Sequence, residues 1–352
     1  MVPCGTSECE NNSSHPHKTI PYTMSKTIAV LGATGNQGSG VIRALLAQPN
    51  TFHVRAITRS TTSAPAQALQ AKYKDDVRFH LVEADMYDTQ TLLDAFRGVY
   101  GVFAVTNNRL PGRKIEAEGD LRHELEAGWN VVAAAKTCGV KHLVLSSLPN
   151  ITLASEGRFQ KVFHFDHKAQ IEEWARSQLP GAVTALHPGL FYTNFNWDQY
   201  YRVAEDGRVR FCAPVNGEKR ADWVDPAFDI GVYAARIFHL GPEKTGSKIY
   251  PVVGPKYSFA DMARIFQEIT SREAFFSPST LDEWGAVVAE TVGKGYEEDI
   301  RQMMQWIAVA PDGKVCYGTM DPGEDRSWEE LGVRASSFEE WIGRGWLGPS
   351  RN

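Results

Sequence analysis

The stretch Thr27-Ile28-Ala29-Val30-Leu31-Gly32-Ala33-Thr34-Gly35-Asn36-Gln37-Gly38-Ser39-Gly40-Val41-Ile42-Arg43-Ala44-Leu45-Leu46 constrains this chain more than any other. An apolar run with β-branched residues enters three glycines spaced G-x-x-G-x-x-G, and an apolar pattern of helical period leaves them. Strand, tight turn and helix in that order make a dinucleotide cradle. Gly32 permits the sharp exit from the strand, and Gly35 lets the backbone approach a pyrophosphate. Gly38 lets the helix pack close to the strand, so that its free N–H groups and dipole face the phosphates. Thr34, Asn36 and Gln37 fill the same turn and join the candidate cofactor contacts. The flanks carry this reading, because the spacing alone is a variant of the G-x-G-x-x-G fingerprint.

Further along, strands are expected at 52–58, 77–83, 99–105, 141–147 and 183–187, with helices at 66–74, 91–97 and 121–137 between them. Such alternation predicts an α/β fold, a Rossmann-type doubly wound parallel sheet covered on both faces. Ligands of such sheets lie beyond the carboxyl ends of the strands. After residue 190 the pattern changes to a smaller, mixed α/β lobe rich in aromatics. Asp225 and Pro226 are expected to open a helix there as N-cap and first residue. The expected division is an N-terminal extension over 1–23, a dinucleotide domain over 24–190 and a cap lobe over 191–352, with parts of the lobe free to rejoin the sheet. Met24 is an alternative start.

The 352 residues suffice for one large domain or two sharing a core. A net charge of −5, without a basic stripe interleaved with aromatics, argues against direct nucleic-acid binding. No apolar run reaches the ~20 residues of a membrane span. Five cysteines, Cys4, Cys9, Cys138, Cys212 and Cys316, are few and odd in number, which fits a reducing cytosol better than a disulfide framework. The 1–23 segment lacks the apolar core of a signal peptide. A cytoplasmic enzyme with a small-molecule substrate is the expected class. Neither His15 with His17 nor His164 with His167 has the further ligands a metal site needs, so no metal is expected.

The second strand ends in Thr58-Arg59-Ser60, with no Asp or Glu to bond a ribose 2′-hydroxyl. A guanidinium at that position pairs with a 2′-phosphate, so NADP(H) is the expected cofactor. Asp85 and Met86, ending the third strand, suit the adenine, although Asp85 also suits a plain turn. Thr106 and Asn107, after the fourth, are expected beside the ribose or pyrophosphate.

Gly32 to Gly38, Thr58-Arg59, Val105-Thr106-Asn107 and His164-Phe165-Asp166-His167-Lys168 together resemble the NmrA-like family of atypical short-chain dehydrogenases, over about residues 26–350. The resemblance implies NADP(H) binding, with Lys168 at the cofactor. It also implies one of two careers: an NADPH-dependent reductase, often in fungal secondary metabolism, or a non-catalytic NADP(H) sensor acting through protein partners. Ordinary short-chain dehydrogenases use Tyr-x-x-x-Lys, whereas here His164 stands four residues before Lys168. On a helix that spacing places both side chains on one face. His164 is a candidate proton donor, its type titrating near neutrality, or else a packed helix residue. Ser146, with Ser147, ends a strand where a hydroxyl could polarise a carbonyl, though two serines suit a loop equally well. Pro188, Gly189 and Phe191 are expected to pass the nicotinamide. Tyr192, Asn194, Phe195 and Trp197 are candidate substrate walls. The aromatic span to Tyr201 more often means core or lid packing than recognition, yet beside the expected nicotinamide site it suits a flat, conjugated or polycyclic acceptor.

Overall fold

The computed structural model describes residues 1, 25–110 and 112–348. Apart from Met1, the expected extension over 1–23, with Cys4, Cys9, His15 and His17, and the alternative start at Met24 lie outside the described residues.

The first half alternates as its hydrophobic periods require. It runs β1 (Lys26–Val30), α1 (Asn36–Leu46), β2 (Phe52–Thr58), α2 (Ala64–Lys72), β3 (Phe79–Glu83), α3 (Thr89–Phe96) and β4 (Gly101–Val105). It continues with α4 (His123–Thr137), β5 (His142–Ser146), the short α5 (Ile151–Ala154), α6 (Phe163–Gln178) and β6 (Val183–Pro188). The second half holds β7 (Leu190–Phe191), β8 (Tyr201–Val203), β9 (Val209–Phe211), β10 (Trp223–Val224), α7 (Asp229–Leu240) and α8 (Pro242–Thr245). Then come β11 (Ile249–Val252), α9 (Phe259–Thr270), β12 (Ala274–Phe276), α10 (Leu281–Thr291), α11 (Glu297–Val309) and α12 (Phe338–Gly343).

Seven strands form one parallel sheet in the order β11-β6-β5-β4-β1-β2-β3. The direction of winding reverses between β1 and β4, which opens a crevice at their carboxyl ends, where Gly32 and Thr106 stand. β11 comes from late in the chain and pairs with β6, so the C-terminal half returns to the sheet. One sheet face is sealed by apolar side chains of α1 and α7, the other by those of α3 and α4. α7 lies close on α1 because both carry glycine at the crossing. A Cβ on Gly231 would stand 2.2 Å from the Gly40 carbonyl oxygen, and one on Gly40 would stand 2.4 Å from that of Ala227.

The second lobe is built on an aromatic core. Phe195 stacks on Trp223 at 5.3 Å, and Tyr192 lies between Trp223 and Trp341 at 6.0 and 5.5 Å. Around them β8, β9 and β12 form a small mixed sheet. Among the described residues no helix is long and apolar enough to cross a membrane.

Local details depart from the sequence expectations. The helix expected from Asp225 starts instead at Asp229. Asp225 caps the preceding turn, accepting from the N–H groups of Ala227 (3.0 Å) and Phe228 (3.2 Å), while its other oxygen binds Arg344 (2.9 Å). The third strand begins at Phe79 because the Asp76 carbonyl closes a turn on the Phe79 N–H (3.0 Å), leaving Val77 exposed.

Candidate active site

A single cleft of about 850 Å³ runs from the glycine turn, across the crevice, into the second lobe. Gly32, Thr34, Gly35, Asn36, Gln37 and Gly38 form one end. Gly32 takes a left-handed φ of +66°, and a Cβ on Gly38 would stand 2.2 Å from the Gly32 carbonyl oxygen. The turn and the close helix approach therefore both require glycine. α1 starts with no side-chain cap and no acidic residue in its first turn, which leaves its leading N–H groups to a ligand. Gln37 Oε1 is buried there without a partner. Phosphates fit the uncapped helix end, and a ribose hydroxyl fits the orphaned amide oxygen. Arg59 and Met86 line the same end. Asp85 does not: its carboxylate accepts from the Tyr87 N–H (3.1 Å), which is the turn role also considered for it.

At the middle of the cleft stand Thr106, Asn107, Ser146, Ser147, His164, Lys168, Pro188, Gly189 and Phe191. Lys168 comes from α6 and is nearly enclosed. Its Nζ donates to the Thr106 carbonyl (3.1 Å), the Thr106 hydroxyl (2.9 Å) and the Glu124 carboxylate. The Thr106 hydroxyl in turn donates to Glu124 Oε1 (2.7 Å). Burial would raise the Glu124 carboxyl, but the Lys168 charge and these bonds overcome it and hold the group below the usual carboxylate range. All three Lys168 donors are thus engaged, and bonding a ribose hydroxyl requires it to release one of them. The sequence alone does not single out Glu124, because a lone glutamate on an amphipathic helix carries no spacing signal.

His164 sits one turn before Lys168 on the same helix. Its backbone N–H donates to Asp299 Oδ2 (2.9 Å), and its Nδ1 bonds Asp299 Oδ1. Asp299 belongs to α11 and is fully buried. Tyr296, three residues earlier, flanks the His164 ring at 5.8 Å and accepts from the Asn108 side-chain amide. Burial and the nearby Asp299 push the Tyr296 hydroxyl well above its ordinary range, so it stays protonated. The family motif's Asp166 is structural, since it accepts from the N–H groups of Ile151 (2.7 Å) and Thr152 (3.3 Å) and caps α5.

The far end is apolar and aromatic. Phe165, Trp197, Tyr200, Val288, Ile300 and Met303 line it, together with Tyr317. Cys316, Tyr317 and Gly318 have φ values of +58°, +58° and +79°. Two consecutive left-handed non-glycine residues are strained. The turn is held by the Asp222 carboxylate on the Tyr317 N–H (3.2 Å) and by the Trp306 indole on the Tyr317 carbonyl (2.9 Å). It sets the Tyr317 ring against Phe165 at 4.7 Å.

Of the expected substrate walls, Asn194 and Trp197 line the cleft. Tyr192 and Phe195 do not, and that expectation is corrected: both are fully buried and stack within the aromatic core of the lobe. In the tight helical turn over residues 192–196, with three residues per turn, they stand three apart and share the core face, while Thr193 and Asn194 between them face the cleft. Gly189 is required by packing, since a Cβ there would stand 2.7 Å from the Asp222 carbonyl oxygen.

A family model described as the NmrA-like family matches residues 24–342. An NmrA-like family domain-containing oxidoreductase of Aspergillus japonicus, himF, is 31% identical over 278 residues, spanning 75% of this chain and 80% of that protein. The relative malD of Malbranchea aurantiaca, with the same description, is 28% identical over 349 residues, spanning 92% and 98%. Among solved structures, the negative transcriptional regulator NmrA in complex with NADP superposes with a TM-score of 0.69 at 21% identity, over 92% of this chain and 99% of that one. A Citrobacter sp. triphenylmethane reductase complexed with NADP(H) gives 0.66 at 20% identity, over 91% and 100%. These two structures bear on the fold alone. By sequence, the chain belongs to the NmrA-like family.

Proposed function

We propose that the protein is an NADPH-dependent reductase that acts on a carbonyl, imine or activated alkene of a moderately large, aromatic or polyketide-like metabolite. One observation carries this reading: the dinucleotide cradle and an aromatic chamber are two ends of one cleft, with His164 and Lys168 where they meet. Relatives spanning most of the chain are described as oxidoreductases, and two neighbours of like fold are complexes with NADP or NADP(H), which supports the same cofactor here.

Bound NADPH supplies the hydride, and the protein's share is orientation and electrostatics. The glycine turn and α1 would hold the pyrophosphate, and Arg59 would pair with the 2′-phosphate. Lys168 would hold the nicotinamide ribose by turning one of its three donors from Thr106 or Glu124 to a hydroxyl. Trp197, Tyr200 and Tyr317 hold a flat acceptor, from which their bulk excludes water. His164 gives a proton to the acceptor's oxygen or nitrogen, and Ser146 offers a hydroxyl to the same atom.

The competing reading, an NADP(H) sensor that changes protein partners, draws on the fold it shares with a transcriptional regulator. NADPH oxidation followed by absorbance against a panel of quinones, imines and polyketide-like carbonyls separates the two. The reductase reading expects turnover that Lys168→Ala removes while NADPH still binds. Absence of turnover across the panel, together with a partner bound in one nicotinamide redox state only, would establish the sensor instead.

A further inference from the structure

Asp299 is a carboxylate with no exposed surface whose hydrogen bonds go to one residue among those described, the backbone N–H and ring Nδ1 of His164. It reaches that residue from the other lobe, 135 positions along the chain. A buried carboxylate is costly unless its partner is well placed. Here two bonds to one residue fix the ring's position and its rotation together. We propose that Asp299 is a positioning residue for the proton transfer assigned to His164, a role that rests on the reductase reading above.

A carboxylate only accepts, so Nδ1 carries the proton that joins the two groups. Nε2 is then the atom left for the cleft, which His164 lines. The Phe165 ring, 4.7 Å away at 73°, and the Tyr296 ring, 5.8 Å away, pack against the imidazole and oppose its tilting. In the productive state both ring nitrogens are protonated, and the imidazolium faces a fixed anion. When the acceptor carbon takes the hydride, its C=O or C=N π pair moves to the heteroatom, which takes the proton from Nε2. The imidazole is left neutral, still bonded through Nδ1–H to Asp299, and solvent restores the proton. A carboxylate that holds an imidazole in one tautomer and stabilises its charged form is a known catalytic arrangement. The difference here is that the two groups come from different lobes, so the donor pair depends on the packing of α11 against α6.

The proposal has a test that does not depend on turnover. Two-bond proton–nitrogen spectra of histidine-labelled full-length protein, assigned by the signal missing in His164→Gln, report the tautomer of the neutral ring. The expected state is Nδ1–H, shifting to a mixture or to Nε2–H in Asp299→Ala. A native ring already protonated at Nε2 alone would overturn the proposal. With an acceptor from the panel, Asp299→Asn is expected to lower kcat about 10- to 100-fold, less than the roughly 10²–10⁴-fold that a general acid itself contributes, because His164 remains. Acceptor KM and NADPH affinity should stay within about twofold. In a His164→Ala background the same change should alter kcat less than about twofold, because coupled residues are not additive. Equal losses in both backgrounds would make Asp299 a packing group. Full turnover in His164→Ala would instead reject His164 as the donor, a separate failure of the functional reading.

Discussion

Lys168 and Glu124 neutralise each other inside the protein, and the Thr106 side chain is bonded to both. The lysine proposed to hold the cofactor is therefore also the counter-ion of a glutamate that is 1% exposed. Replacing Lys168 with Met leaves that carboxylate uncompensated, and breaking a buried pair in this way costs about 3–5 kcal/mol. Urea denaturation of Lys168→Met should show a loss of that order. Lys168→Met with Glu124→Gln should recover most of it without recovering turnover. Equal stability of the single and double variants would mean that Glu124 simply takes up a proton when alone.

Arg59 tests the choice of cofactor. A charge-assisted hydrogen bond contributes about 1.5–3 kcal/mol, or roughly ten- to a hundredfold in affinity. Arg59→Ala should weaken NADPH by that factor in a titration of protein fluorescence and leave NADH within about twofold. Equal weakening of both would assign Arg59 to the adenine or the surface.

The cradle and the sheet were legible because each rests on local signals: strand periods, the glycine turn and the missing acid after β2. The partners of His164 and Lys168 were not. Asp299, Tyr296 and Glu124 each meet the site through tertiary packing, and an isolated acid or tyrosine on a helix looks the same whether it faces water or a buried cation. The aromatic run after β6 was ambiguous in a different way, since it suited core packing as well as recognition. Its composition suited a substrate wall, but the tight turn over residues 192–196 sends Tyr192 and Phe195 into the lobe core and leaves Thr193 and Asn194 to the cleft. Backbone geometry, which composition does not encode, decided which side chains face the ligand.

Gly40 and Gly231 define a second, purely structural test. The backbone of α1 meets α7 and the turn before it with no room for a methyl group at either glycine. Gly231→Ala should force the helices apart and cost about 1–3 kcal/mol, the usual range for overpacking, despite alanine's better helix propensity. Because α1 also carries the cradle, NADPH affinity should fall with stability. Thermal melts with and without NADPH measure both, and an unchanged or raised melting temperature would show that the crossing adjusts freely.

His187 on β6 and Glu172 on α6 supply a pH test. The imidazole Nε2 lies 2.8 Å from the Glu172 carboxylate, and both groups are buried. Burial alone would lower the His187 value, but Glu172, aided by Cys316, outweighs it and raises the group from 6.5 to about 10. Glu172, likewise opposed by burial, is lowered from 4.5 to about 2 by His187 and Arg176. The two shifts describe one shared interaction and are not added. A raised histidine contributes stability fully below 6.5 and loses it as pH climbs through 10. A depressed carboxylate contributes above 4.5 and loses it as pH falls through 2. The pair therefore stabilises most between about 4.5 and 6.5. The stability difference between the native protein and His187→Gln, from urea titrations at fixed pH, should be largest there and shrink steadily toward pH 10. A difference that stays constant from pH 6 to 10 would mean that His187 is neutral in the folded protein, a hydrogen-bond partner of Glu172 without a charge.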